Sequence, residues 1–153
     1  MSIRHPLIAA AVLAVSIATS AASAGSKSRY DWDALGAEFC ARSLAGDLDG
    51  LRDILTPSLV EKIRAASGNP RMPAPNVLFQ SYLNPVPVCE ARTRNAAIVQ
   101  ITRSMPGGKA PAWTEYLEVV PLADGTTRID NVLFATRRSD TLRTRLDAWA
   151  AGR

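Results

Sequence analysis

The chain of 153 residues carries 18 Lys and Arg against 14 Asp and Glu, a formal charge of only +4. Apart from Arg137-Arg138 and Arg143/Arg145 the basic residues are scattered, so the basic stripe that nucleic-acid binding needs is missing. The one histidine is His5. If the N-terminal leader described next is removed, no imidazole is left for a Ser-His-Asp triad, a Cys-His dyad or a His-ligated zinc.

Met1–His5 is short and basic through Arg4, and Leu7–Ala18 (LIAAAVLAVSIA) is uncharged and mostly apolar. Small residues follow, down to Ala22-Ser23-Ala24. That order is the pattern of a cleavable signal peptide ending in an A-x-A site. The apolar run of 12 residues falls short of the ~18 that suggest a membrane span; the alternative is an uncleaved anchor. No cysteine lies near the site, which leaves lipoprotein processing without its acceptor. Cleavage after Ala24 separates a leader, residues 1–24, from one domain, residues 25–153; 153 less 24 leaves 129 residues, enough for its own core. The expected location is the periplasm or the exterior, with no membrane span after cleavage. There Cys40 and Cys89 have one intramolecular pairing available, a disulfide closing a loop of about 50 residues. The alternative is two separate buried thiols.

From Asp31 to Ala45, Trp32, Leu35, Phe39 and Ser43/Leu44 recur at helical steps, with Asp31 and Asp33 at the positive end. Gly46 is the expected stop and Asp47 the next cap, followed by Leu48, Leu51 and Leu55 on one face. Thr56-Pro57 restarts the chain, Thr as cap and Pro in the first helical position. Ser58 with Glu61 is an alternative capping box, and Leu59, Val60 and Ile63 carry the buried face to about Ser67. Gly68–Pro75 (GNPRMPAP) breaks the helix as a surface loop. Asn76–Leu83 (NVLFQSYL) fits a helical turn or a strand, and Pro85-Val86-Pro87 ends it.

The second half reads as strands. Val88–Thr93 carries Cys89, Ala96–Arg103 is rich in β-branched residues, and Met105–Pro111 is a turn. Trp113–Pro121 alternates Trp113/Glu115/Leu117/Val119 with Thr114/Tyr116/Glu118/Val120. Asp124-Gly125 is a two-residue hairpin signal before the return strand Thr127–Thr136. Ser139-Asp140 is the expected cap of a last helix with Leu142, Leu146 and Trp149 on one face. Helices first and an antiparallel meander second is the α+β layout. The helices should cover one face of a curved sheet, and the disulfide should staple the first helix to the first strand.

Phe39-Cys40 through Leu48, Leu51 and Leu55-Thr56-Pro57-Ser58-Leu59 resembles the opening of exported bacterial proteins with the nuclear transport factor 2-like (cystatin-like) fold. Asp124-Gly125-Thr126-Thr127-Arg128-Ile129-Asp130-Asn131-Val132 resembles their closing hairpin, with Thr127 where an aromatic is common and Asn131 where a second Asp is common. Thr141-Leu142-Arg143 is similar to their Thr-Leu-Arg tail. The resemblance implies N-terminal helices on a curved antiparallel sheet with a C-terminal helix. It also implies that Asp130 sits deep on the sheet, and that a homodimer can form through an exposed strand face carrying Glu115 and Tyr116. This superfold hosts enzymes, ligand carriers and assembly partners alike.

For a catalyst, the sheet could present Tyr116, Glu118 and Asp130, with Tyr82 at the rim, as a tyrosine–carboxylate pocket of the isomerase or dehydratase kind. The competing reading puts Glu118 and Asp130 on a solvated face, paired with Arg103 or Arg128. That reading is the expectation: no catalytic residue, no metal and no cofactor. Trp32, Phe39, Trp113, Phe134 and Trp149 are read first as core and second as the lining of a cavity. The arginine pairs near the C-terminus are read as a solvated helix face. The functional expectation is a non-catalytic exported binding or assembly module, its partner an envelope protein or a small ligand. An apolar-ligand carrier and the tyrosine–carboxylate enzyme are the alternatives.

Overall fold

The computed structural model describes residues 30–73, 78, 87–108 and 110–152. The expected leader, residues 1–24, and Tyr82 lie outside the described residues, as does Asn76–Leu83 except for Leu78, which is helical and buried. Among the described residues three helices come first: α1 (Asp33–Ala45), α2 (Leu48–Ile54) and α3 (Pro57–Ala66). Four strands follow, β1 (Val88–Thr93), β2 (Ile98–Ser104), β3 (Trp113–Pro121) and β4 (Thr127–Phe134), and then α4 (Leu142–Ala150). The strands form one antiparallel meander in the order β1-β2-β3-β4. The fold is α+β.

The tight turns between helices follow from their caps. Gly46 takes the left-handed conformation at φ 69° and ends α1. The Asp47 carboxylate accepts from the Gly50 N–H at 2.9 Å and starts α2. Thr56 Oγ1 accepts from the Leu59 N–H at 3.2 Å, with Pro57 in the first turn of α3. The alternative Ser58/Glu61 box is not used; Glu61 pairs with Arg64 instead.

The sheet alternates strictly through its middle. Val99, Ile101 and Arg103 of β2 and Glu115, Leu117 and Val119 of β3 are buried, while their neighbours are half-exposed. The buried row meets Phe39, Leu51, Leu59 and Ile63 of the N-terminal helices and Leu142 and Leu146 of α4 in one core. Helix α1 lies on β1 and β2, and α4 packs on α3 and β4. At the start of α1 the Thr93 hydroxyl and N–H both donate to Asp33, and they hold its carboxyl below the usual carboxylate range.

Four boundaries differ from the sequence expectation, each for a local reason. Strand β2 starts at Ile98 rather than Ala96, because Asn95 Oδ1 accepts from the Ala97 N–H at 2.9 Å and closes a turn there. The β3–β4 connection runs from Leu122 to Thr126, wider than a two-residue hairpin. Its ends are joined by Leu122 N–H to the Thr126 carbonyl at 2.7 Å, with Gly125 at φ 81°. Strand β4 ends at Phe134 rather than Thr136, because the Phe134 N–H turns to the Asp140 carbonyl at 3.0 Å. Helix α4 is capped by Thr141, in a reciprocal box with Thr144, because the Asp140 carboxylate is occupied by Arg145 and Thr136.

Helix and sheet approach closely at Gly36. A Cβ there would lie 2.5 Å from Ala91 Cβ and 2.8 Å from Val99 Cγ1. One turn further on, Cys40 is joined to Cys89 of β1 with a Cα–Cα distance of 5.7 Å, so the expected staple of first helix to first strand is present. Gly36→Ala should lower stability by about 1–3 kcal/mol despite alanine's better helix propensity, because α1 must lift off the sheet; a raised melting temperature would refute this contact. Replacing both Cys40 and Cys89 by alanine should cost about 2–4 kcal/mol in urea unfolding. Thiol titration of the denatured, unreduced wild type should find no free thiol; two free thiols would contradict the bond.

Candidate functional site

One row of the helix-covered sheet face crosses three strands. Cys89 pairs in register with Arg103, and Arg103 with Trp113. Register partners project to the same face of a sheet, so disulfide, guanidinium and indole are neighbours there. Glu115 lies diagonally across from Arg103, opposite Ile101. Arg103 is 1% exposed and Glu115 4%. Arg103 Nε donates to Glu115 Oε2 at 3.3 Å and Nη2 to Ser43 Oγ at 3.4 Å. Ser43 is held in turn by donating to the Cys40 carbonyl at 3.1 Å. Helix α1 therefore fixes the cluster from above, through the disulfide and through Ser43.

Two donors of this row are left over. Among the described residues, Arg103 Nη1 and Trp113 Nε1 are the buried side-chain atoms that find no acceptor. A guanidinium has five N–H groups in a rigid fork, and an indole is a donor only. Buried donors are normally satisfied, and an unsatisfied one costs about 1–3 kcal/mol. A buried ion pair is itself no strong source of stability, since desolvation offsets the Coulomb attraction. The row thus combines a buried ion pair with two buried donors that find no acceptor, which makes it the strongest candidate for a functional site.

Of the residues expected to share a pocket, Tyr82 lies outside the described residues and Asp130 is held by partners of its own. Tyr116 and Glu118 lie on the opposite, outer face of β3, alternating with buried Glu115 and Leu117. Tyr116 faces Leu133 in the register, and Glu118 accepts from Asn131 Nδ2 at 2.9 Å. Asp130 is neither deep on the sheet nor paired with Arg103 or Arg128. It takes Thr56 Oγ1 at 2.7 Å and the Arg143 guanidinium. Arg143 also reaches the Asp130 carbonyl through Nε at 2.7 Å and Ser58 Oγ through Nη1 at 3.2 Å.

Two further expectations are corrected by the same contacts. Glu115 is buried under the helices, not on an exposed strand. Arg143 and Arg145 are engaged by Asp130 and Asp140 and so do not form a free solvated face. Of the aromatics, Phe39 is fully buried core, while Trp32, Phe134 and Trp149 pack against the core's edge. The Arg103–Glu115 pair was missed by sequence reasoning, although one signal was present: Arg103 and Glu115 each occupy an inward position of an alternating strand. A charge at such a position is more easily read as a register error than as a buried pair.

Arg103→Met should destabilise the fold by about 3–5 kcal/mol, because Glu115 is then a buried carboxylate without its cation. Adding Glu115→Met should recover most of that loss in urea unfolding, because the ion pair is not needed for packing. A double variant no more stable than the single one would show that the pair is structural. No protein-family model, curated protein or solved structure matches the chain.

Proposed function

We propose that the protein is a non-catalytic binding module of the exported, periplasmic compartment, built on a nuclear transport factor 2-like fold. Its helix-covered sheet face holds a small ligand through Arg103 and Trp113. The observation that carries this reading is the pair of buried donors without an acceptor, Arg103 Nη1 and Trp113 Nε1, beside a guanidinium already matched by Glu115. Because the charge is matched, the complementary group is a neutral acceptor, such as a carbonyl, more than a second anion. Ser43, Cys40 and Cys89 preorganise the site, which reduces the entropy lost on binding.

The remaining parts of the reading have their own support. Export is favoured by the A-x-A leader pattern and by the Cys40–Cys89 bond, which an oxidising compartment sustains. Among the described residues no helix is long and apolar enough to cross a membrane. The fold assignment draws on the Thr56-Pro57 restart, the four-stranded meander and the α4 cap at Thr141. A carboxylate–tyrosine enzyme would need an acid kept out of ion pairs near a tyrosine. Asp130 instead has Arg143 and Thr56 as partners, and this favours binding over catalysis.

Native mass spectrometry of the protein taken from its own periplasm tests the proposal. A bound small molecule is expected on the wild type, and its loss is expected from a folded Arg103→Met/Glu115→Met variant. A ligand-free homodimer, or a ligand-free complex with an envelope protein, would overturn it in favour of assembly.

A further inference from the structure

A second feature lies away from the buried row, where β4 ends. Tyr116, Leu133, Phe134, Ala135, Arg137 and Arg138 line a cleft of about 260 Å³. Its floor is apolar, from Leu133, Phe134 and Ala135. One side of the Phe134 ring is covered by the Arg145 guanidinium, 3.9 Å from the ring centroid. Arg145 is spoken for, since its Nε and Nη2 donate to the two Asp140 oxygens at 2.6 and 2.8 Å. That bidentate pair, with Thr136, holds the Asp140 carboxyl below the usual range. Glu118, the nearest carboxylate along the outer face of β3, is occupied by Asn131.

Arg137 and Arg138 are left without a carboxylate. Both are exposed, and among the described residues no acid forms a salt bridge with either. Arg137 acts on Asp140 through its charge alone. The cleft lining therefore carries two arginines and no carboxylate beside an apolar floor, with Tyr116 in the same wall. The volume is below the ~300 Å³ at which pockets for drug-sized ligands begin. It suits one or two fused rings, or a short chain, with an anionic end.

We propose that this cleft binds a free amphipathic carboxylate, an aryl or short acyl acid. The apolar part lies on Leu133, Phe134 and Tyr116, and the carboxylate is met by Arg137 and Arg138. The site is independent of the ligand proposed for Arg103 and Trp113, and either can fail without the other. Each guanidinium can donate two parallel N–H bonds to a carboxylate, while the apolar floor supplies non-directional affinity.

The test is titration of the folded protein with 2-naphthoate and, in parallel, with the neutral 2-naphthylmethanol, followed by ¹H–¹⁵N NMR. A fragment of this size should bind the cleft with a Kd near ~1 mM. Saturable shifts are expected at Tyr116, Leu133, Phe134, Ala135, Arg137 and Arg138, with the acid favoured over the alcohol by about fivefold or more. In the Arg137→Gln/Arg138→Gln variant the acid should fall to the alcohol's affinity, and the alcohol's own affinity should not change. Equal binding of acid and alcohol to the wild type would overturn the proposal, as would the absence of saturation. Shifts confined to the Trp113 indole would also overturn it, and would assign the acid to the buried row.

Discussion

Between Glu118 and Val119 the β3–β4 register slips by one residue: Glu118 faces Asn131, and Val119 faces Ile129. Asp130 is the residue left over, a β-bulge. Simple alternation from Ile129 would turn Asn131 and Leu133 inward and Val132 outward. The extra residue reverses that order, so Val132 joins Ile129 in the core and Leu133 goes to the outer face. It also turns the Asp130 carboxylate toward Thr56 and Arg143. Thr56 caps α3, and its N–H donates to the Ile129 carbonyl at 2.8 Å. Arg143 opens α4, and its N–H donates to Asn131 Oδ1 at 3.1 Å. The N-terminal helices, the last strand and the last helix thus meet at one carboxylate, through charge-assisted bonds of about 1.5–3 kcal/mol each.

At the other edge of the sheet the joint is covalent and steric. Gly36 lets α1 come down on β1 and β2, and the Cys40–Cys89 bond holds it there. Between these two joints the buried side chains of β2 and β3 are apolar except for Arg103 and Glu115. Conformational entropy opposes the ordering of long side chains, yet the arginine here is ordered by Glu115, Ser43 and the strand itself. A chain selected for stability alone would do as well with hydrophobic residues of the same volume. Preorganised donors in a dry environment are worth more to a hydrogen-bonding partner than donors in water.

The charges of the last thirty or so residues are divided between structure and surface. Arg143 and Arg145 are taken up by Asp130 and Asp140, and each pair closes one side of the α4 N-terminus. Arg137 and Arg138, five to eight positions earlier, face solvent beside an apolar floor. The same residue type within one short stretch serves as clamp and as open cation, and what separates the two is whether a carboxylate lies within reach.

Much of the fold follows from local chemistry. Gly46, Asp47 and Thr56-Pro57 end and restart helices through caps that need only neighbouring residues, and the β-branched alternation of Trp113–Pro121 defines a strand whatever it packs against. The disulfide was legible too, because two cysteines leave one intramolecular pairing. The bulge at Asp130 was not, since a register slip is decided by which residues the facing strand and helices must bury. Nor was the Arg103–Glu115 pair: strand period assigns both residues to a face, but only α1 and the disulfide above them make that face dry. Residue type favours Ser139-Asp140 as the cap, and Arg145 shifts it to Thr141 by occupying Asp140. Short-range hydrogen bonding and periodicity are properties of the sequence itself. The partner of a charge is set by folding, because it depends on chain segments that are distant until the core has formed.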